Sequence, residues 1–99
     1  MAEDLPVVRC RVPIANALGL HLRPAGAFAR LAQTYQSEVW VAHQQLRVNG
    51  KSVLDLMTLG AAPGMILEIE VQGPDAAEAL AALANLVASG FDFDEGDEA

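Results

Sequence analysis

The chain has 99 residues, of which 53% are hydrophobic and only 5% aromatic, which predicts one compact domain with a core of Val, Leu and Ile. Six basic against thirteen acidic residues give a formal net charge of −7, which disfavours binding to nucleic acid or to an anionic membrane surface. The single cysteine excludes an intramolecular disulfide, and no apolar stretch is long enough to span a bilayer. We therefore expect a cytoplasmic protein without membrane insertion or a secretory signal.

The first half of the chain predicts a strand, a helix and two further strands. Residues 7–14 alternate between apolar and polar side chains, as in a strand with one buried face. A glycine-containing loop follows, and apolar residues at helical spacing then predict a helix over 22–35, with Pro24 near its start. Residues 39–42 and 46–48 predict two short strands joined by a turn. The order of this half is therefore β-α-β-β.

The second half of the chain predicts two helices around one strand. Ser52 has the spacing of a capping box and predicts the start of a short helix, which Gly60 ends. Residues 65–72 alternate and predict the fourth strand. Asp75 has the same spacing to a glutamate, so we expect its side chain to cap a last helix that ends at Gly90. The full order βαββαβα, with one-sided strands, predicts an α+β fold with an antiparallel or mixed sheet covered by helices on one face.

The sequence shows no internal repeat and no linker, so we expect residues 1–99 to form a single domain. Residues 1–6 and 91–99 are expected to be frayed termini. The C-terminal segment is strongly acidic, with Asp92, Asp94, Glu95, Asp97 and Glu98. A solvated tail is the simplest interpretation of such a run, and a docking role is the alternative.

The segment Gly-Leu-His-Leu-Arg-Pro-Ala at 19–25 places a histidine at the start of the first helix. The first N–H groups of a helix have no partner within it and, together with the helix dipole, form an anion-binding site. A neutral imidazole can attack a phosphorus centre there, and the helix end and the Arg23 guanidinium both disfavour a positive charge on it. Arg23 and the N–H groups can then hold the phosphoryl oxygens. The alternative is that His21 only caps the helix and that Arg23 is solvated.

This segment resembles the active-site signature of HPr, the histidine-containing phosphocarrier protein of the bacterial phosphoenolpyruvate-dependent phosphotransferase system. Asn-Gly-Lys-Ser at 49–52 and Met-Thr-Leu-Gly at 57–60 resemble the family segment around its regulatory serine. Pro-Gly at 63–64 and Gly-Pro-Asp at 73–75 also fall where the family has them, so the resemblance covers about 7–90. It implies an HPr-like open-faced β-sandwich, in which three helices cover one face of a four-stranded antiparallel sheet.

The resemblance implies a carrier that is a substrate and donor for enzymes and is not itself an enzyme. Enzyme I would phosphorylate the Nδ1 atom of His21, and the carrier would pass the phosphoryl group to a histidine of an EIIA-type acceptor, with Arg23 as the charge partner of the phosphate. Ser52 matches the serine that HPr kinase/phosphorylase modifies in some bacteria, although a serine that only caps a helix fits the same pattern. We expect no cofactor, no metal and a monomer.

The same resemblance implies a docking surface for the protein partners, formed by Leu22, Gly26, Val53, Leu54 and Met57. Leu22 stands where the family most often has Ala or Thr, and Asp55 adds a negative charge where some relatives have a basic residue. The sequence leaves the effect of these two differences on partner choice open. The ending Ser-Gly-Phe-Asp at 89–92 resembles the nitrogen-branch paralogue NPr, which leaves a regulatory carrier as an alternative. The alternative from another class is a non-catalytic interaction module, whose activity would not depend on His21.

Overall fold

The computed structural model of the chain describes residues 5–17 and 19–92. Four strands form the sheet: β1 (Val7–Pro13), β2 (Glu38–His43), β3 (Leu46–Asn49) and β4 (Ile66–Gln72). Three α-helices accompany them: α1 (Leu22–Gln33), α2 (Val53–Thr58) and α3 (Ala76–Ala88). A 3-10 turn, Gly90–Asp92, follows α3. The predicted order βαββαβα is therefore confirmed.

The strands lie in the order β1-β4-β2-β3, and all neighbouring strands are antiparallel. The last strand, β4, is thus inserted between β1 and β2. Of the two sheet types that the sequence allowed, antiparallel or mixed, the antiparallel one is observed. The insertion also brings the end of β1 against the start of β4, where the backbones of Ile14 and Met65 are hydrogen-bonded at 2.9 Å. The loop that follows β1 and leads to His21 and the loop that precedes β4 are consequently neighbours.

The core lies between one face of the sheet and the helices. Alternate residues of the two central strands point into it and are almost completely buried, among them Val39, Val41 and Ile69. Phe28 of α1 and Leu83 of α3 are fully buried from the helical side. Burying a side chain of this kind stabilises a protein by about 1.5–3 kcal/mol, so the helices are held on this face by apolar contact.

The opposite face of the sheet carries half of the six basic residues of the chain. Arg9 and Arg47 lie 3.6 and 3.4 Å from the carboxylate of Glu70, and the Arg47 guanidinium stacks 4.4 Å from the centre of the Trp40 ring. Arg11 is exposed on the same face. The remaining basic residues lie on the side of the helices, which is the side of His21: Arg23, Arg30 and Lys51.

The strand bounds differ from the prediction by one residue, and the end of α1 and the C-terminus differ by more. Helix α1 ends before Thr34, because the Thr34 hydroxyl and N–H both bond to the carbonyl of Leu31 and tighten the last turn. At the C-terminus the expectation of a frayed end is wrong for Phe91, which is 1% exposed and belongs to the core. At the N-terminus the Pro6 carbonyl accepts a hydrogen bond from the N–H of Gly73 at 3.0 Å, and residues 1–4 and 93–99 of the predicted termini lie outside the described residues.

The prediction that the Asp75 side chain caps α3 is wrong. Asp75 occupies the N-cap position, but its side chain makes no capping hydrogen bond. Its carboxylate instead accepts hydrogen bonds from the backbone N–H groups of Gln36 and Ser37, at 2.9 and 3.0 Å, and from the Ser37 hydroxyl. These bonds, that of the Ser37 hydroxyl first, lower the pKa of Asp75. Asp75 therefore joins the start of α3 to the turn between α1 and β2.

We expect Asp75→Asn to lower the melting temperature at pH 7 and to lose this effect in acid. Because the pKa of Asp75 is lowered on folding, its contribution is complete above the unfolded pKa of about 3.9 and is lost as the pH falls through the folded value. Thermal unfolding of wild type and variant at pH 7 and pH 3 measures the difference. Glu78→Gln, a substitution of an exposed carboxylate on the same helix, is the control. An equal gap at both pH values would contradict the assignment.

Candidate functional site

The loop before α1 is fixed by close backbone contacts. Gly19 has a φ of +74°, and a Cβ at this position would lie 2.5 Å from the carbonyl oxygen of Ala61, so that only glycine fits. The N–H of Leu20 donates to the same oxygen at 3.0 Å, and the Asn16 side-chain amide donates to the Gly19 carbonyl at 2.6 Å. Leu20 is 5% exposed and anchors the loop in the core. The residue that follows, His21, is therefore held in a defined place.

His21 is the N-cap residue of α1, with extended backbone angles of −90° and −167°. Its carbonyl accepts the first helical hydrogen bond, from the N–H of Ala25 at 2.9 Å. Its side chain makes no capping hydrogen bond and is half-buried, which argues against the alternative that the imidazole serves only as a cap. The dipole of α1 puts partial positive charge at this end of the helix, and Pro24 in the first turn has no N–H to satisfy. The imidazole thus lies at a helix end suited to an anion.

Arg23 is exposed on the first turn of α1, two residues after His21. It lines a groove of about 370 Å³ together with Leu22, Gly26, Arg30 and Val53. Arg30 follows Arg23 by seven residues, which places both guanidinium groups on one face of the helix. Arg30 is not among the residues predicted from the sequence, although its spacing of seven from Arg23 could have indicated it. The groove therefore combines apolar side chains with two cationic ones.

Ser52 is the N-cap of α2, as predicted, and its hydroxyl accepts a hydrogen bond from the N–H of Asp55 at 3.2 Å. The segment before it is tied by two bonds to the last residue of α1 and to the turn that follows that helix. The Gln33 side chain donates to the Lys51 carbonyl at 2.8 Å, and the Lys51 ammonium donates to the Tyr35 carbonyl at 2.8 Å. These bonds hold the start of α2 beside α1, and Val53, the residue after Ser52, lines the groove.

The five residues predicted to dock partners fall into two groups. Leu54, Leu22 and Met57 are 76%, 61% and 40% exposed, a high exposure for large apolar side chains. Gly26 is buried and Val53 half-buried, and both line the groove. A Cβ at Gly26 would lie 3.3 Å from the Arg30 guanidinium, so the glycine makes room for that side chain. The structure therefore brings all five to α1 and α2, with different degrees of exposure.

Other kinds of site find little support. In residues 5–17 and 19–92, no group of three His, Cys, Asp or Glu side chains is placed to hold a metal ion, and no helix is long and apolar enough to cross a membrane. Burial raises the pKa of the half-buried Cys10 thiol, which keeps it protonated and unreactive at neutral pH. His21 is therefore the candidate nucleophile.

Comparison with known proteins identifies one family. The family model described as PTS HPr component phosphorylation site matches residues 8–89. Phosphocarrier protein HPr of Neisseria meningitidis serogroup B is 46% identical over 86 residues, which are 87% of this chain and 94% of that protein. Phosphocarrier protein NPr of Escherichia coli K12 is 40% identical over 88 residues, 88% of this chain and 98% of that protein. The crystal structure of HPr-C-His from Thermoanaerobacter tengcongensis superposes with a TM-score of 0.83 at 34% identity, covering 88% of this chain and 98% of that one.

Proposed function

The chain belongs to the PTS HPr family of phosphocarrier proteins, and from this premise we propose that His21 is the residue that carries the phosphoryl group. The observation that carries the proposal is the position of the imidazole. It lies at the N-terminus of α1, it is not used as a cap, and the helix dipole puts partial positive charge at this end. A nucleophile in this place can receive a phosphoryl group and have its oxygens bound at once.

In the proposed reaction the carrier acts as acceptor and then as donor. A phosphohistidine of Enzyme I supplies the group, and the P–N bond to Enzyme I breaks as Nδ1 of a neutral His21 forms its own bond to phosphorus. The second transfer repeats this exchange with a histidine of an EIIA-type acceptor. The Arg23 guanidinium and the N–H groups of the first turn stabilise the charge on the phosphoryl oxygens in both transfers.

The exposure of the site suits a carrier that must release what it binds. Interactions between exposed charges are worth less than about 1 kcal/mol each, because water and salt screen them. Arg23 is exposed, and His21 is only half-buried. The phosphate is thus bound well enough to be positioned and weakly enough to be passed on.

Enzyme I and the EIIA-type acceptor are proposed to bind the same surface in turn. That surface is apolar at Leu22, Leu54 and Met57 and cationic at Arg23 and Arg30, which fits partners with apolar contacts inside an acidic rim. An exposed apolar patch beside the proposed site suits transient binding of a partner. We propose a monomer that works in the cytoplasm and needs no cofactor.

An NPr-like regulatory role is the second candidate. The NPr of Klebsiella oxytoca is 42% identical over 88 residues, and that match covers 98% of the relative. Phosphorylation rates with the sugar-branch and the nitrogen-branch Enzyme I distinguish the two roles. A clear preference for the nitrogen-branch enzyme would favour the regulatory role, and passage of the label to a sugar-specific EIIA would favour transport.

Ser52 is proposed as a regulatory phosphorylation site, and Ser52→Asp is the substitution that imitates it. We expect the fold to persist, because aspartate also caps helices, and the rate of phosphorylation by Enzyme I to fall at least about fivefold, because a charge is added beside the docking surface. Labelling from phosphoenolpyruvate through Enzyme I, with samples quenched at a series of times, measures the rate. Ser52→Ala is the control, since it removes the cap at a cost of about 1 kcal/mol and adds no charge. An unchanged rate in Ser52→Asp would contradict the proposal.

A further inference from the structure

Gly26 leaves room on the surface of α1 for the side chain of Arg30. It lies inside the helix, where glycine is less favourable than alanine because it loses more backbone freedom on folding. A Cβ at Gly26 would lie 3.3 Å from Nη1 of Arg30. Outside the helix backbone and the residues next to Gly26, no other atom of the described chain comes within 4 Å of that position. The guanidinium of Arg30 therefore lies over Gly26 and occupies the space that a larger side chain would take.

This position over Gly26 moves the charge of Arg30 one helical turn towards His21. Helical side chains lean towards the N-terminus of their helix, and the Arg30 side chain reaches back over four residues, about 6 Å along the axis. Arg30 follows His21 by nine residues, an axial rise of about 13.5 Å, whereas Gly26 follows it by five, about 7.5 Å. The positive charge is thus about half as far from the imidazole along the helix as the position of Arg30 in the sequence suggests.

Arg30 has the surroundings of an arginine that pairs with an acid of another protein. It is exposed, and it lines the groove together with the apolar side chains of Leu22 and Val53. Among the described residues the salt bridges are formed by Glu70, on the opposite face of the sheet, and neither involves Arg30. A guanidinium holds its N–H donors in a plane that matches a carboxylate with two parallel hydrogen bonds. The groove therefore offers a placed cation beside apolar surface.

We propose that Gly26 is a specificity-determining residue, which seats the Arg30 guanidinium in the groove so that it binds a carboxylate of the incoming protein. The acid belongs to an Asp or Glu that is flanked by an apolar side chain, and this side chain packs on Leu22 and Val53. The proposal rests on the proposed function in one respect, that Enzyme I and the EIIA-type acceptor dock on this surface. An arginine extended into solvent would attract acids in general, whereas a seated one selects an acid in one position.

Nuclear magnetic resonance tests the position of Arg30 without any partner protein. We expect dipolar contacts between the guanidinium protons of Arg30 and the α protons of residue 26 in the wild-type protein. Gly26→Gln should remove these contacts, because its longer side chain takes the place of the guanidinium. Their absence from the wild-type protein, or their persistence in Gly26→Gln, would overturn the proposal.

Steady-state phosphorylation by Enzyme I tests the consequence for docking. We expect Gly26→Gln to raise the KM for the carrier about three- to tenfold at about 50 mM salt with kcat unchanged, and the difference to shrink at about 0.5 M salt. Gly26→Ala should raise the KM only about twofold, because a methyl group displaces the guanidinium little. The same variant should melt about 2–6 °C higher than wild type, since alanine is the better helix former. Ala81→Gln, on the exposed side of α3, is the control for an added side chain.

An Arg30→Ala background decides whether Gly26 acts through Arg30. We expect Arg30→Ala to raise the KM by a factor similar to that of Gly26→Gln, and the double variant to resemble either single one, because both remove the same contact. If Gly26→Gln raises the KM equally with and without the Arg30 side chain, the proposal is overturned, since residue 26 would then contact the partner directly.

The two kinds of measurement separate the two hypotheses. If wild type is not phosphorylated by Enzyme I, the proposed function fails and the specificity role fails with it, while the dipolar contacts still decide where the Arg30 guanidinium lies. If wild type is phosphorylated and Gly26→Gln leaves the KM unchanged, the proposal for Gly26 alone fails.

Discussion

His21→Ala is expected to abolish phosphorylation by Enzyme I, with a loss of at least about 10⁴-fold in rate, because no other group can form the P–N bond in its place. The fold should persist, since the His21 side chain makes no capping hydrogen bond. The first helical hydrogen bond uses the backbone carbonyl of residue 21, which alanine also provides. Labelling from phosphoenolpyruvate and Enzyme I measures the rate. Circular dichroism measures the melting temperature, which should stay within about 3 °C of wild type.

The second histidine of the chain provides the matched control. His43 ends β2, and its Nδ1 lies 3.3 Å from the Ile66 carbonyl oxygen, on an element that contributes nothing to the site. His43→Ala should be labelled as fast as wild type. Label retained by a folded His21→Ala protein would contradict the proposal and would favour an interaction module or another phosphorylation site.

Arg23→Ala is expected to lower kcat for phosphorylation about 10²-fold, because a cation that stabilises the phosphoryl oxygens in the transition state is removed. Arg23→Lys should restore part of the rate, since lysine keeps the charge but lacks the planar pair of N–H donors. Rapid-quench kinetics with Enzyme I gives kcat and KM separately. The rate at which the phosphorylated protein hydrolyses gives a second readout of phosphate binding.

Arg30→Ala is the control for a general loss of positive charge. Arg30 lines the same groove two turns further along α1, away from the helix end where the phosphate would be bound. We expect a higher KM and an unchanged kcat for this variant, because its role is to attract partners. A kcat for Arg23→Ala within threefold of wild type, or equal effects of the two substitutions, would contradict the role given to Arg23.

The element order and the location of the core could be predicted because they follow from local patterns. Alternation along 65–72 reflects a strand with one face in the core, and the spacing around Ser52 reflects a cap that is complete within four residues. Asp75 has the same local spacing to a glutamate, but its side chain does not cap the helix. Its partners, Gln36 and Ser37, are more than 35 residues earlier in the chain, and only the packing of α3 brings them within reach.

The site was predictable where it depends on one segment and unpredictable where it depends on two. His21 and Arg23 belong to the same loop and helix start, so their sequence already places them together. The groove lies between α1 and the start of α2, and the Gln33–Lys51 hydrogen bond that helps to hold the two together joins residues 18 positions apart. For the same reason Phe91 was assigned to a frayed terminus, since its burial depends on contacts that the acidic composition around it does not indicate.

The most direct test of the central claim is to incubate the wild-type protein with phosphoenolpyruvate and its cognate Enzyme I and then locate the label. We expect one acid-labile phosphate per chain, found on His21 by peptide fragmentation under alkaline conditions and on its Nδ1 atom by ¹⁵N chemical shift. The label should leave the protein when an EIIA-type acceptor is added. No label under conditions that phosphorylate a known HPr, or a label on His43, would contradict the assignment of His21 as the phosphate carrier.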